Sequence, residues 1–229
     1  GAVFLPINWR LNPKEIAGVV SDSGLKILFY AEKHLSSLNE INPDYLHMDI
    51  DSDAYNQIVD PSQHHVYKAK AVEPTDLATL IYTSGTTGVP KGVMFSYESF
   101  VNNGANVELT YKFNSEYLTI ISTPMFHVLG FNDTVLPTLM SGGTLVLQRY
   151  FNGEELNDLI AQYHPDFLIM IPTMYYSTLN QKNFNPDDFR AIKFVIQGGS
   201  QPLPSIQQAF KKYGINIING YGLTEAPLV

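Results

Sequence analysis

The sequence predicts an α/β fold, mostly parallel β-sheets layered with α-helices, on three observations. Short apolar runs alternate with segments that open on helix-capping residues, the pattern of strands joined by crossover helices. The run Phe167 to Ile171 is apolar throughout, as a buried strand is. Three loops rich in glycine and hydroxyl residues, 83 to 91, 198 to 202 and 219 to 225, each follow such a run. In a mostly parallel sheet all three would emerge on the edge where ligand sites are built.

Taken in order, Gly1 to Ile7 is an apolar strand, and Asn12-Pro13-Lys14-Glu15 opens a helix. Asn12 is its N-cap, proline stands at the first helical position, and Glu15 is placed to close a capping box. The helix ends near Ser23-Gly24, and Lys26 to Tyr30 is the next strand, so that strand, helix and strand form a parallel unit. Residues 31 to 75 are less regular. Asp49, Asp51 and Asp53 have the spacing of half a calcium loop, but Ala54 stands where glycine is needed and Asp60 where a bidentate Glu belongs. A solvated acidic turn is the reading there, and His64-His65 reads as exposed linker. Residues 60 to 75 mark the internal boundary, giving a partial α/β subdomain over 1–75 and a ligand-binding α/β subdomain over 76–229.

The second subdomain opens on the apolar run Leu77 to Ile81, which empties into Tyr82-Thr83-Ser84-Gly85-Thr86-Thr87-Gly88-Val89-Pro90-Lys91-Gly92. Gly85 and Gly88 permit positive φ and put no Cβ between the backbone amides and an anion. Thr83, Ser84, Thr86 and Thr87 add hydroxyl donors, and Lys91 adds a mobile point charge. The loop suits a polyphosphate, yet it is no P-loop: the second glycine of that motif would fall at Pro90, and Gly92 follows Lys91 where Ser or Thr is required.

Gly92 to Phe95 is the return strand, and Ser96 caps a helix to about Leu109. Tyr117 to Ser122 is a strand feeding Pro124-Met125-Phe126-His127. Phe131 to Met140 is apolar at helical spacing, and Ser141-Gly142-Gly143 turns it into the strand Thr144 to Leu147. Asn152 opens a helix to about His164. After Phe167 to Ile171 come a helix over Pro172 to Asn180, a strand over Ala191 to Gln197, a helix to Tyr213 and a strand from Ile215 to Ile218.

Composition narrows the function. The chain has 229 residues, 45% of them hydrophobic and 12% aromatic, enough to bury a sizeable core. A net charge of -8 without any Lys/Arg cluster argues against nucleic acid as a partner. Zero cysteines exclude disulfides, thiolate metal sites and a cysteine nucleophile, and fit a reducing, cytoplasmic compartment. No apolar run reaches the roughly 18 residues of a membrane span. The chain begins at Gly1 inside an apolar stretch, which predicts an excised piece whose targeting information lies elsewhere.

Of the other two loops, Gly198-Gly199 lets a flat ring approach the backbone. Asn219-Gly220-Tyr221-Gly222-Leu223-Thr224-Glu225 offers Tyr221 as a stacking surface, Thr224 as a donor and Glu225 as a hard oxygen ligand for Mg²⁺.

In this order the motifs resemble those of the AMP-forming, adenylate-forming enzymes, which include acyl-CoA synthetases, and the matches span essentially the whole chain. Tyr82 to Gly92 resembles the family's signature loop. Gly198-Gly199-Ser200-Gln201-Pro202-Leu203 is similar to its Gly-Gly-Ala-x-Pro-Leu adenine segment, with Ser200 in place of the usual alanine. The resemblance implies that Gly198, Gly199, Ser200, Gln201, Asn219, Gly220, Tyr221 and Gly222 form the adenine site, with Tyr221 stacked on the ring. It implies that Thr224 contacts the α-phosphate, Glu225 and Thr83 hold Mg²⁺, and Ser84, Gly85, Thr86, Thr87, Gly88 and Lys91 hold the β- and γ-phosphates.

Pro124-Met125-Phe126-His127 resembles the acyl-CoA synthetase motif whose histidine lies between acyl pocket and phosphates, although a core histidine is an alternative for His127. Lys91, His127 and Thr224 are thus the implied catalytic residues. ATP, Mg²⁺ and coenzyme A are the implied cofactors, a carboxylic acid is the implied substrate, and a homodimer is allowed for. Leu129 falls where amino-acid-activating relatives carry an aspartate for the substrate ammonium, which favours an uncharged, fatty acyl chain. The rivals are an amino-acid or aryl-acid adenylation domain and a non-catalytic nucleotide-binding module. The family's C-terminal lid has no counterpart after Val229, so slow turnover or none is expected of the chain alone.

Overall fold

The computed structural model describes residues 1–34, 46–62, 68–83 and 90–227, which fall into two compact units, Gly1–Tyr97 and Glu98–Val229. The expected boundary at residue 75 differs from this division for a physical reason. Phe4 forms a parallel bridge to Thr79, donating from its N–H to the Ala78 carbonyl (2.9 Å) and accepting from the Leu80 N–H (3.0 Å), so the strand at 77–83 joins the first unit.

In the first unit, α1 (Pro13–Ser23) begins as its sequence dictates. The Asn12 side chain accepts from the Glu15 N–H at 3.0 Å, Glu15 accepts from the Asn12 N–H at 2.9 Å, and Gly24 ends the helix at φ 62°. The strand expected over Gly1 to Ile7 is reduced to the Phe4 bridge. β1 (Ile27–Tyr30) therefore pairs in parallel with β2 (Leu46–Asp49), which with α2 (Asp53–Val59) lies in the stretch expected to be irregular. The acidic turn is occupied locally: Asp49 Oδ1 accepts from the Asp51 N–H, Asp51 Oδ2 from the Glu32 N–H, and Ser52 caps α2. His64 and His65 lie outside the described residues. β3 (Leu77–Thr83) and β4 (Lys91–Ser96) form an antiparallel pair.

The second unit opens on α3 (Tyr97–Tyr111) and is built on a five-stranded parallel sheet. Its strands are β5 (Leu118–Ile121), β6 (Thr144–Leu147), β7 (Phe167–Met170), β8 (Phe194–Gln197) and β9 (Ile217–Asn219), in the order β6-β5-β7-β8-β9. Order reverses between β5 and β7, which share a single register pair, Thr119 with Phe167. That is the switch point at whose carboxyl edge α/β sheets hold ligands.

Both faces are covered, which is why β7 reads Phe-Leu-Ile-Met with every residue buried. Leu168 and Met170 join Val195 and Ile217 under α6 (Gly153–Tyr163), α7 (Pro172–Leu179), α8 (Pro186–Ala191) and α9 (Pro204–Lys211). Phe167 and Ile169 face the other way with Ile196, against Val107 of α3 and Phe113. α8 ends at Ala191, so the strand expected from that residue starts only at Phe194.

Between β5 and β6 the chain runs α4 (Val128–Gly130), a π turn (Phe131–Val135) and α5 (Leu136–Met140). Pro137 explains the π turn. In an α-helix its ring would clash with the carbonyl four residues back and it has no N–H to offer that group, so the register shifts by one residue and the Leu136 N–H bonds to the Phe131 carbonyl. Among the described residues no helix is long and apolar enough to cross a membrane.

Candidate functional site

The carboxyl edge of the parallel sheet carries two of the three expected loops. Gly198 leaves β8 with its N–H bonded to the Met170 carbonyl (3.1 Å), and Gly220 leaves β9 with its N–H bonded to the Gln197 carbonyl (2.8 Å). The two glycines after β8 have a geometric cause. Gly199 sits at φ 73°, and a Cβ there would lie 3.3 Å from Ile171 Cγ2, while one on Gly198 would lie 3.3 Å from Leu129 Cδ1. Without side chains, the backbone forms one wall of a shallow recess of about 40 Å³, whose other walls are Val128, Leu129, Asp133 and Tyr221.

The loop after β9 is held at its root and shaped at its tip. Asn219 Oδ1 accepts from Gln197 Nε2 and from Gln207 Nε2, both at 2.6 Å. Tyr221 is 71% exposed, a free aromatic face beside the recess. Leu223 and Ala226 exchange two backbone hydrogen bonds of 2.8 and 3.1 Å, so Thr224 and Glu225 form the tip of a closed turn with the Glu225 carboxylate in solvent. One exposed carboxylate suits Mg²⁺, which takes one or two protein carboxylates and completes its shell with phosphate and water. Among the described residues no cluster of three His, Cys, Asp or Glu offers a cage for another metal. Ser200 and Gln201 are exposed on the same edge as Gly198 and Gly199.

The third loop is placed differently from the expectation. It joins β3 to β4, which pair antiparallel as a two-stranded sheet of their own, because the strand that follows it returns alongside β3. Thr83 and Lys91 are register partners at the mouth of that hairpin, with Lys91 exposed. Ser84, Gly85, Thr86, Thr87 and Gly88 lie outside the described residues. Behind the mouth, Tyr82 donates from its hydroxyl to Asp22 Oδ2 at 2.6 Å. Burial first, then this carboxylate, raises the Tyr82 phenol above its ordinary range.

His127 is exposed and caps α4, its carbonyl accepting from the Gly130 and Phe131 N–H groups. The alternative of a core histidine is therefore corrected. Three contributors were missed in the sequence: Gln197 and Gln207, which grip Asn219, and Asp133. Asp133 is only 2% exposed and lines the recess; burial, and then the charge of Asp133, raise the Tyr111 phenol. The signal for it was one carboxylate inside a segment otherwise apolar at helical spacing.

The AMP-binding enzyme family matches residues 1–229. The chain belongs to that family. Among curated relatives, a feruloyl-CoA synthase from Amycolatopsis is 26% identical over 99% of the chain and 45% of its own length. A 4-hydroxybutyrate–CoA ligase from Metallosphaera sedula is 30% identical over 98% of the chain and 44% of its own length. The crystal structure of ATP-bound MatB from Rhodopseudomonas palustris superposes with a TM-score of 0.85 at 22% identity, over 99% of this chain and 46% of that one, a likeness of fold. The chain thus spans about 45% of the length of the curated relatives it matches.

Proposed function

We propose that the protein is an AMP-forming acid–thiol ligase, which uses ATP to convert a carboxylic acid into an acyl-adenylate and then into its CoA thioester. The observation that carries this reading is the side-chain-free wall at Gly198 and Gly199, set beside exposed Tyr221 and the Thr224–Glu225 turn. A flat ring stacks on Tyr221 against backbone that no Cβ obstructs. The phosphates then run toward a hydroxyl donor and a carboxylate that accepts a cation.

The chemistry asks little proton transfer of the protein. A carboxylic acid with an ordinary pKa near 4 is ionised at neutral pH, so its oxygen attacks the α-phosphorus without a general base, and the bond to pyrophosphate breaks. Thr224 donates to the α-phosphate oxygens as negative charge builds on them. Lys91, with Thr83 and the loop residues 84 to 88, neutralises the departing pyrophosphate. Glu225 and Thr83 would hold Mg²⁺, which supplies further charge neutralisation on the phosphates when bound. His127, exposed at the head of α4, is the residue we assign to the junction of acyl group and phosphates. Leu129 gives the acyl side an apolar wall, which favours an aliphatic chain.

The experiment is acid-dependent exchange of labelled pyrophosphate into ATP, followed by thioester formation with CoA, in the full-length protein. Exchange that needs the acid supports the ligase; nucleotide binding without exchange for any acid removes it.

A further inference from the structure

Tyr82 and Gly92 are register partners, and so are Thr83 and Lys91, the next pair along and the last before the loop. Side chains alternate across a strand, so Tyr82 and Gly92 share one face of the hairpin while Thr83 and Lys91 share the other. On the first face the Tyr82 ring crosses Gly92, where a Cβ would lie 3.0 Å from Tyr82 Cζ. The ring reaches past the hairpin to α1, and its hydroxyl donates to Asp22 Oδ2 at 2.6 Å, 60 residues away in the chain. A hydroxyl bonded to a carboxylate belongs to the stronger, charge-assisted class.

Asp22 goes against the preferences of its own helix. It stands in the last turn of α1, which holds no basic residue, and there the carbonyl ends of the peptide dipoles disfavour a carboxylate. It is exposed, so no packing demand puts it there. Local rules of this kind are broken most often where function requires it.

Resting on the acid-activation reading above, we propose that Tyr82 and Asp22 are positioning residues, whose bond fixes the mouth of the hairpin on α1 and so aims Thr83 and Lys91 at the β- and γ-phosphates. Both act through that pair rather than on the nucleotide. Lys91 is a long, mobile chain, and the charge neutralisation it offers departing pyrophosphate depends on where its strand starts it. Gly92 is part of the same device, because a side chain there would push the ring off its path to Asp22.

Acid-dependent pyrophosphate exchange in the full-length protein, with melting temperatures measured alongside, tests this. Tyr82→Phe keeps the ring over Gly92 and removes the hydroxyl, while Asp22→Ala removes the acceptor. Each should lower kcat for exchange by about tenfold or more and leave KM for the acid unchanged. The two together should cost no more than either alone, and Tyr82→Phe should add little to Lys91→Ala, because the bond acts through that lysine. Asp22→Ala also relieves the end of α1, so its melting temperature should hold or rise while exchange falls, which a merely structural bond does not allow. Native kcat in both variants, a Tyr82→Phe effect undiminished in Lys91→Ala, or exchange and melting temperature falling in step in Asp22→Ala overturns the positioning role while acid activation stands. No exchange by the native protein with any acid overturns both.

Discussion

Gln197 donates from Nε2 to Asn219 Oδ1 at 2.6 Å, tying the last residue of β8 to the last residue of β9. The two loops that leave these strands are thereby fixed to one another before any ligand arrives. Gln197 is 1% exposed, so Gln197→Leu exchanges a buried polar bond for an apolar group and leaves Asn219 to Gln207 alone. We expect a stability loss of about 1–3 kcal/mol in denaturant titration, with weaker ATP binding by calorimetry. Unchanged nucleotide affinity would separate the grip on Asn219 from the site.

Gly199→Ala tests the open wall. At φ 73° any side chain is strained, and its Cβ lies 3.3 Å from Ile171 Cγ2, so stability should fall by about 1 kcal/mol or more. ATP-dependent thermal stabilisation should fall further than the melting temperature of the free protein does. An equal fall in both would assign Gly199 to backbone geometry alone.

Tyr175 is fully buried and donates to the Ile196 carbonyl at 2.7 Å, pinning α7 to β8. Tyr175→Phe keeps the ring among Phe210 and its neighbours and removes only the bond. The expected cost is about 0.5–1.5 kcal/mol, read as a shifted denaturant midpoint with unchanged slope.

Stability should drop at alkaline pH. Tyr82, Tyr111, Tyr117, Tyr175 and Lys193 all have folded pKa values raised above their ordinary ones. Burial is the leading cause for the tyrosines; for Lys193 it is the Asp166 carboxylate, 2.6 Å from its ammonium. Folding favours the protonated form of each, so their contribution is complete below an ordinary pKa of about 10 and is lost as pH rises through the folded values. Thermal melts at rising alkaline pH should show the decline, and Tyr82→Phe should make it shallower. Melting temperatures that stay level through that range would contradict the assignment.

Much of the second unit was legible because local and tertiary preferences agree there. Asn152 caps α6 by accepting from the Glu154 and Glu155 N–H groups, as its spacing predicts, and the unbroken apolar run at 167–170 could only be a strand covered on both faces. β2 was missed because Leu46-His47-Met48-Asp49 is short, mixed and half-exposed, so no periodicity marks it. The strand expected at the N-terminus shrank to one bridge, since pairing partners are chosen in three dimensions. At the site, glycine and turn chemistry revealed the loops at 198 and 219. Asp133 stayed hidden because its placement depends on the shift in helix register that Pro137 imposes.

Acid-dependent exchange of pyrophosphate into ATP, compared between the native full-length protein and its Lys91→Ala and Glu225→Ala variants, tests the central claim most directly. Loss of preorganised charge at the phosphates should lower exchange by about 100-fold or more in each variant while the protein stays folded. Native exchange rates in both variants, or no exchange by the native protein with any carboxylic acid, would contradict the account.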